Sequence, residues 1–250
     1  MNKRFIKIVD SFHKISKQGF IKAQNGTNTN AGGLTLEKLL GKKPDSDFFP
    51  DYNGVEIKTT HRYSRYAIKL FSIAFDGPNL YEANDLVNKY GQLNALGTQK
   101  TLSISLLVNQ KRKLNNQDYY FELKVDETNE EIYLNVYNKN LKYIEKRGIV
   151  LFSSIKKRLF LKLNYTAILY CSKKVINNVN YYRYYKIYCC ILKDFTYFIK
   201  AIKEGNVKLL LNLRYIKYGD TFINKSNNLS FLLSKREIGS IFYLDYYFEK

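Results

Sequence analysis

Histidine is scarce in this 250-residue chain, which has only His13 and His61. That excludes HNH-type nucleases and His-rich zinc hydrolases, whose sites need several imidazoles. Cysteine is nearly as rare. Cys171, Cys189 and Cys190 are an odd set with no Cys-x-x-Cys spacing. They read as reduced, mostly buried thiols of a cytosolic protein, not as a disulfide framework or a zinc site. No apolar run approaches the roughly eighteen residues that a membrane-spanning helix needs. The opening Asn2-Lys3-Arg4-Phe5-Ile6-Lys7 breaks any apolar export core with charge, so no signal peptide is expected. With three prolines, no Pro/Gly linker and no internal repeat, the chain is expected to form two lobes sharing one sheet, 1–150 and 151–250, rather than separate beads.

Negative charge is also in short supply. There are 41 Lys+Arg against 22 Asp+Glu, a net charge of +19. From Lys156 onward 18 basic residues face 6 acidic ones. Such a surface suits a polyphosphate partner and salt-dependent binding. An anionic membrane surface is the rival partner on charge alone. Lys, Asn, Ile, Tyr and Phe are what an AT-rich genome over-produces, so composition by itself does not choose between them.

The pattern along the chain is α/β. Residues 5–20 read as an amphipathic helix on Phe5, Ile6, Ile8, Val9, Phe12 and Ile15. A polar Asn/Thr/Gly loop from Gly26 to Gly33 follows, suited to approach a phosphate. Next comes a short helix striped by Leu36, Leu39 and Leu40, which stops at Gly41. Further strands are expected at 66–75, 101–108, 165–171, 181–188, 207–215 and 229–233, with a hairpin of 119–125 and 131–137. Helices are expected at 81–90, 152–161 and 195–204. Residues 111–117 have turn composition, and 218–228 read as a polar loop.

The chemistry is concentrated between Thr35 and Thr59. Val55 to Thr59 alternates apolar and polar, as a half-buried strand does. Glu56 and Lys58 therefore share one face, and Val55 and Ile57 point into a core. Asp51 precedes Gly54 at an expected turn. One carboxylate from the turn and one from the strand can converge on a divalent cation, with Lys58 beside them to position or activate water. Mg²⁺ suits such a pair, because it takes oxygen ligands and is usually held by one or two carboxylates. Glu37, expected in the first turn of the short helix, would hold a metal-bound water or a second cation. Arg62, Arg65 and Lys69 follow the strand and could contact the backbone of the scissile DNA strand. A Glu-x-Lys pair on a strand is more often a solvated surface face. The preceding Thr-Leu-Glu-x-Leu-Leu-Gly and the Gly32-Gly33 loop weigh towards a site.

These residues resemble the MvaI/BcnI restriction endonucleases, which are related to the mismatch-repair nickase MutH and belong to the PD-(D/E)xK nucleases. The resemblance rests on Gly33, on Thr35-Leu36-Glu37-Lys38-Leu39-Leu40, and on Asp51-Tyr52-Asn53-Gly54-Val55-Glu56-Ile57-Lys58-Thr59. It continues more weakly over most of the chain. It implies a mixed sheet flanked by helices with a C-terminal DNA-recognition lobe. It also implies a Mg²⁺-dependent type II endonuclease that acts as a monomer on double-stranded DNA, nicking each strand in turn at a short, nearly symmetric site. A cytoplasmic enzyme with a companion DNA methyltransferase is the expected setting, with no membrane involved. A strand-specific nickase and a non-cleaving DNA-binding protein with a vestigial site are the alternatives. The family's His-Asp-His-Gly segment is replaced here by Lys225-Ser226-Asn227-Asn228. The expected base readers are therefore Arg214, Lys217, Lys225 and Asn227, and the family's target sequence does not carry over.

Overall fold

The computed structural model describes residues 1–24, 31–42, 49–61, 68–79, 81–115, 117–219 and 221–250, with the side chains of 221–228 left aside. The chain opens with helix α1 (Ile6–Lys17), the two-residue strand β1 (Ile21–Lys22), helix α2 (Ala31–Leu39) and strand β2 (Glu56–His61). Strand β3 (Ile68–Ile73), helix α3 (Glu82–Tyr90) and strands β4 (Gln92–Leu93), β5 (Gln99–Leu106) and β6 (Arg112–Lys113) follow. Then come β7 (Tyr119–Asp126), β8 (Glu131–Asn138) and β9 (Tyr143–Leu151), helix α4 (Phe152–Leu163), and the long strands β10 (Tyr165–Ile176) and β11 (Val179–Leu192). Helix α5 (Phe195–Lys203), the hairpin β12 (Val207–Tyr218) and β13 (Thr221–Leu233), a four-residue helix α6 (Ile238–Ile241) and β14 (Phe242–Glu249) complete it.

Two compact units result, and neither is a continuous piece of chain. One comprises Met1–Ile68, Leu159–Asp194 and Ser234–Lys250; the other comprises Lys69–Arg158 and Phe195–Leu233. The expected division at residue 150 and the shared sheet are thus replaced by interleaved segments with their own sheets. The reason is topological. Strands β2 and β10 are parallel neighbours, and parallel neighbours need a long crossover. Helix α4 leads directly into β10, and residues 69–158 of the other unit are inserted ahead of that last step.

The first unit is built on a sheet ordered β1-β11-β10-β2, with β14 also paired to β11. One face is covered by α1 and α2. Phe5, Ile8, Val9, Phe12 and Ile15 recur at helical spacing and are buried against Ala167, Leu169, Cys171, Tyr182, Tyr184, Ile187 and Cys189. Each fully buried Phe, Ile, Leu or Val among these contributes roughly 1.5–3 kcal/mol. All three cysteines are free and buried, and burial pushes each thiol up to about 12.

The second unit holds two sheets, β3-β13-β12-β5-β4 and β6-β7-β8-β9. Residues 218 and 221–228, expected in a polar loop, are strand instead. Tyr218 pairs with Thr221, and pairing continues to Val207 with Leu233, so the segment is the distal part of one long hairpin. Asn and Ser mask the strand in the sequence, because the cross-strand pairing that organises it leaves no apolar alternation to read. Strands β9 and β14 were also not among those expected. In each, charged or exposed residues interrupt the apolar alternation.

Candidate active site

Two local devices deliver the residues of the site. The first is the turn before β2. Tyr52 and Val55 exchange both backbone hydrogen bonds, at 2.9 Å each, around Asn53 and Gly54. Both central residues have positive φ, 50° and 79°. That is the type I′ geometry for which Asn-Gly is suited. The turn holds Asp51 back over the start of the strand, where its Oδ2 accepts the Ile57 backbone N–H at 3.0 Å. Beyond the turn, Val55 and Ile57 enter the core, so Glu56 and Lys58 fall on the opposite face, as expected.

The second device is the end of α2. Gly41 has φ 76°; its N–H donates to Lys38 O at 3.0 Å, and the Lys42 N–H donates to Glu37 O at 2.9 Å. This is a Schellman stop, and it sends the following Lys42 towards Asp51, whose Oδ1 accepts from Lys42 Nζ at 2.5 Å. The helix begins earlier than expected, at Ala31, so Gly32 and Gly33 are helical. Gly32 lies where a Cβ would meet the Tyr182 ring at 3.2 Å, and its carbonyl accepts from Tyr184 Oη at 2.6 Å. The small residue lets α2 sit close on the sheet. Glu37 is therefore in the last turn, not the first. A carboxylate there opposes the helix dipole, so its presence is not explained by helix stability.

Glu56 is 1% exposed. Its Oε1 accepts from Lys58 Nζ at 2.5 Å and lies 3.4 Å from Lys162 Nζ. Its Oε2 is buried with no hydrogen-bond partner among the described residues. Burial pushes the Glu56 carboxyl above the ordinary range, and the nearby Asp51 carboxylate adds to this; the charges of Lys58 and Lys162 oppose the shift without reversing it. Asp51 goes the other way. Burial raises it, but the hydrogen bonds from Lys42 and Ile57, with the charges of Lys42 and Lys58, outweigh burial and hold it low. Two carboxylates thus meet, one kept ionised and one strained towards neutrality with an orphaned oxygen. A cation placed against them would relieve both the repulsion and the missing bond.

Asp51, Glu56 and Lys58 are brought together as expected. Among the described residues no group of three or more His, Cys, Asp or Glu side chains is placed to share an ion, so Glu37 is not gathered with the other two carboxylates. Lys69, Arg214 and Lys217 are exposed and belong to the second unit. Arg62 and Arg65 lie outside the described residues. Lys225 and Asn227 are on β13, their side chains outside the description; Asn227 pairs with Leu213, and Lys225 falls at a bulge between Asn224 and Ser226. Sequence reasoning missed Lys42 and Lys162. Lys42 had a local signal in its position just after the Gly41 stop. Lys162 had none, being on α4 and brought to Glu56 only by the β2–β10 pairing. His61, at the end of β2, packs on Tyr182 with ring centroids 5.7 Å apart. It has Nδ1 at 3.5 Å from Cys171 Sγ, and burial, then Lys173 and Lys235, lower its pKa.

A mixed sheet flanked by helices, bearing Asp-x4-Glu-x-Lys on a turn and an edge strand, defines a nuclease of the PD-(D/E)xK restriction-endonuclease-like fold. The sequence model of the MvaI/BcnI restriction endonuclease family matches residues 9–242. The chain belongs to that family and is a site-specific deoxyribonuclease. Its fold is similar to that of "Restriction endonuclease MvaI-cognate DNA substrate complex", with TM-score 0.88, 21% identity and 98% of each chain covered. It is also similar to "Restriction endonuclease MvaI in the absence of DNA", with TM-score 0.61, 19% identity and the same coverage. Comparison with curated proteins finds no match.

Proposed function

We propose that the chain is a Mg²⁺-dependent type II restriction endonuclease that hydrolyses double-stranded DNA at a short specific site, acting as a monomer in the cytoplasm beside a DNA methyltransferase of the same specificity. The observation that carries the metal dependence is the orphaned, buried Glu56 Oε2 next to the ionised Asp51 carboxylate. Two oxygen donors without histidine or thiolate suit a hard cation that keeps several waters. Asp51 and Glu56 would hold it, and Glu37 would act at one remove through water. When bound, the ion supplies Lewis-acid polarisation of the phosphoryl group and a more acidic attacking water.

The remaining work falls to side chains of this protein. Lys58, on the strand face of Glu56, donates hydrogen bonds to the attacking water oxygen and offsets charge accumulating on the phosphoryl oxygens. Lys42 keeps Asp51 ionised. Lys162 supports Glu56 from the opposite element and limits its tendency to take up a proton. Arg62, Arg65 and Lys69 would contact the backbone of the scissile strand. Arg214, Lys217, Lys225 and Asn227 would read base edges, Arg and Lys at guanine and Asn at adenine.

The test is incubation with unmethylated plasmid and Mg²⁺, followed by sequencing of the ends. Discrete fragments ending at one short motif are expected, none forming in chelator. Cutting that ignores Mg²⁺ would remove the metal assignment, and a single nick on one strand only would favour the nickase.

A further inference from the structure

The β3-β13-β12-β5-β4 sheet of the second unit has one apolar face and one open one. Leu209, Leu211, Leu213 and Tyr215 of β12 are buried, whereas Asn212 and Arg214 between them are exposed. The register places Leu210 opposite Ser105, Asn212 opposite Ser103 and Arg214 opposite Thr101. The open face is thus paved with small hydroxyl side chains. The run Lys111-Arg112-Lys113 borders it. With Ser103, Ser105 and Leu210 it lines an open cavity of about 650 Å³, and no carboxylate is among the lining residues.

The cationic run is held in place. Arg112 and Lys113 form β6, pairing with Phe121 and Tyr120 of the other sheet, and the next residue, Leu114, is buried. Arg112 Nη1 donates to Ser105 O at 2.9 Å, tying one sheet to the other. Lys111 Nζ lies 4.0 Å from the centre of the Tyr137 ring. Several other cations of this unit are neutralised, among them Lys89 by Glu145, Lys203 by Glu127 and Arg147 by Glu82. Lys111, Arg112 and Lys113 form no salt bridge among the described residues. Glu122, which feels the charge of Lys111, is occupied by Tyr137 and by Lys124.

We propose that this face is a clamp for the phosphate backbone of double-helical DNA, with Lys111 and Lys113 as its charged grips and Arg112 as the strut that fixes them. Exposed, pre-positioned cations with no carboxylate partner among the described residues, beside serines small enough to let a backbone approach, match phosphate oxygens in charge and hydrogen-bonding type. Arg214, on the same face, would stand beside the clamp, and backbone grips of this kind set the register in which a base reader works.

The inference rests on the protein binding DNA, and the experiment separates the two. Binding is measured with Ca²⁺ in place of Mg²⁺, over a range of salt, on a duplex that the enzyme cuts and one that it does not. Wild type is compared with Lys111→Ala/Lys113→Ala and with Lys139→Ala/Lys142→Ala, which removes the same charge from the exposed β8–β9 turn. The clamp variant should bind both duplexes more weakly and lose about 0.9 per contact, roughly 2 in all, from the slope of log affinity against log salt. Its unfolding temperature should match that of the control variant. A clamp variant with the slope of the control overturns the proposal, as does a loss confined to the cut duplex. If wild type binds neither duplex, the clamp and the DNA-binding reading fall together.

Discussion

The edge of β2 in the first unit and the open face of β5 and β12 in the second both carry several lysines or arginines, and they use them in opposite ways. At β2, Lys42, Lys58 and Lys162 are all committed to Asp51 or Glu56. On the open face, Lys111, Arg112 and Lys113 meet no carboxylate within the cavity they line. Cations spent on internal carboxylates tune the charge state of those carboxylates. Cations that meet no carboxylate inside the fold keep their charge available to an external anion. A basic protein therefore cannot be read from its net charge alone; what matters is which charges are already answered inside the fold.

The sharpest way to break this contrast is to remove a carboxylate from the first region. Asp51→Ala or Glu56→Ala should lower cleavage by at least about 10²–10³-fold, while affinity for DNA in Ca²⁺ stays close to wild type. Plasmid cleavage rates and gel-shift titrations check this; wild-type turnover in either variant would dissolve the site. Lys58→Ala should cost about as much turnover, roughly 10²-fold or more, with divalent-ion binding followed by calorimetry little changed. If Lys58→Ala cuts normally, the strand is an ordinary surface face.

A smaller effect is expected in the second region. Arg214→Ala should cost about 1–3 kcal/mol if the side chain reads a base, relaxing the preference at one position of the cut site. A uniform loss at all sites, with a flatter salt dependence, would move Arg214 to the backbone-binding group. Smaller still is Glu37→Gln, expected to slow cleavage more than it weakens DNA binding. An unchanged rate across a Mg²⁺ titration would deny Glu37 a part in the chemistry.

The last prediction concerns pH. The folded pKa of Glu56 is raised, so its neutral form is favoured in the fold. The linked stability is fully present below the unfolded-state pKa and is lost as pH rises through the folded value. In metal-free protein, Glu56→Gln should therefore unfold at a temperature equal to or above wild type near neutral pH, its advantage shrinking as pH falls. Added Mg²⁺ should stabilise wild type and not the variant. A variant less stable than wild type at neutral pH, with no pH trend, would show that the carboxylate is not strained.

What could be read directly from the residues was local. The Asp51–Lys58 arrangement depends on a two-residue turn and on strand alternation, both contained within eight consecutive positions. The α1 face follows from its helical spacing, and the stop at Gly41 follows from the left-handed backbone that glycine accepts. These features need no knowledge of distant chain, because backbone sterics and side-chain periodicity act over a few residues.

The tertiary structure decided the rest. Lys162 reaches Glu56 because α4 feeds β10 and β10 pairs beside β2, a relation between residues over a hundred positions apart. Residues 221–228 are strand because the partner strand offers hydrogen bonds, although most of them are polar. The interleaving of the two units follows from two insertions, one inside the parallel β2–β10 crossover and one between the antiparallel neighbours β11 and β14. In each case the determining contact is long-range, and the free energy that selects it comes from pairing and burial across the fold, which no window of sequence contains.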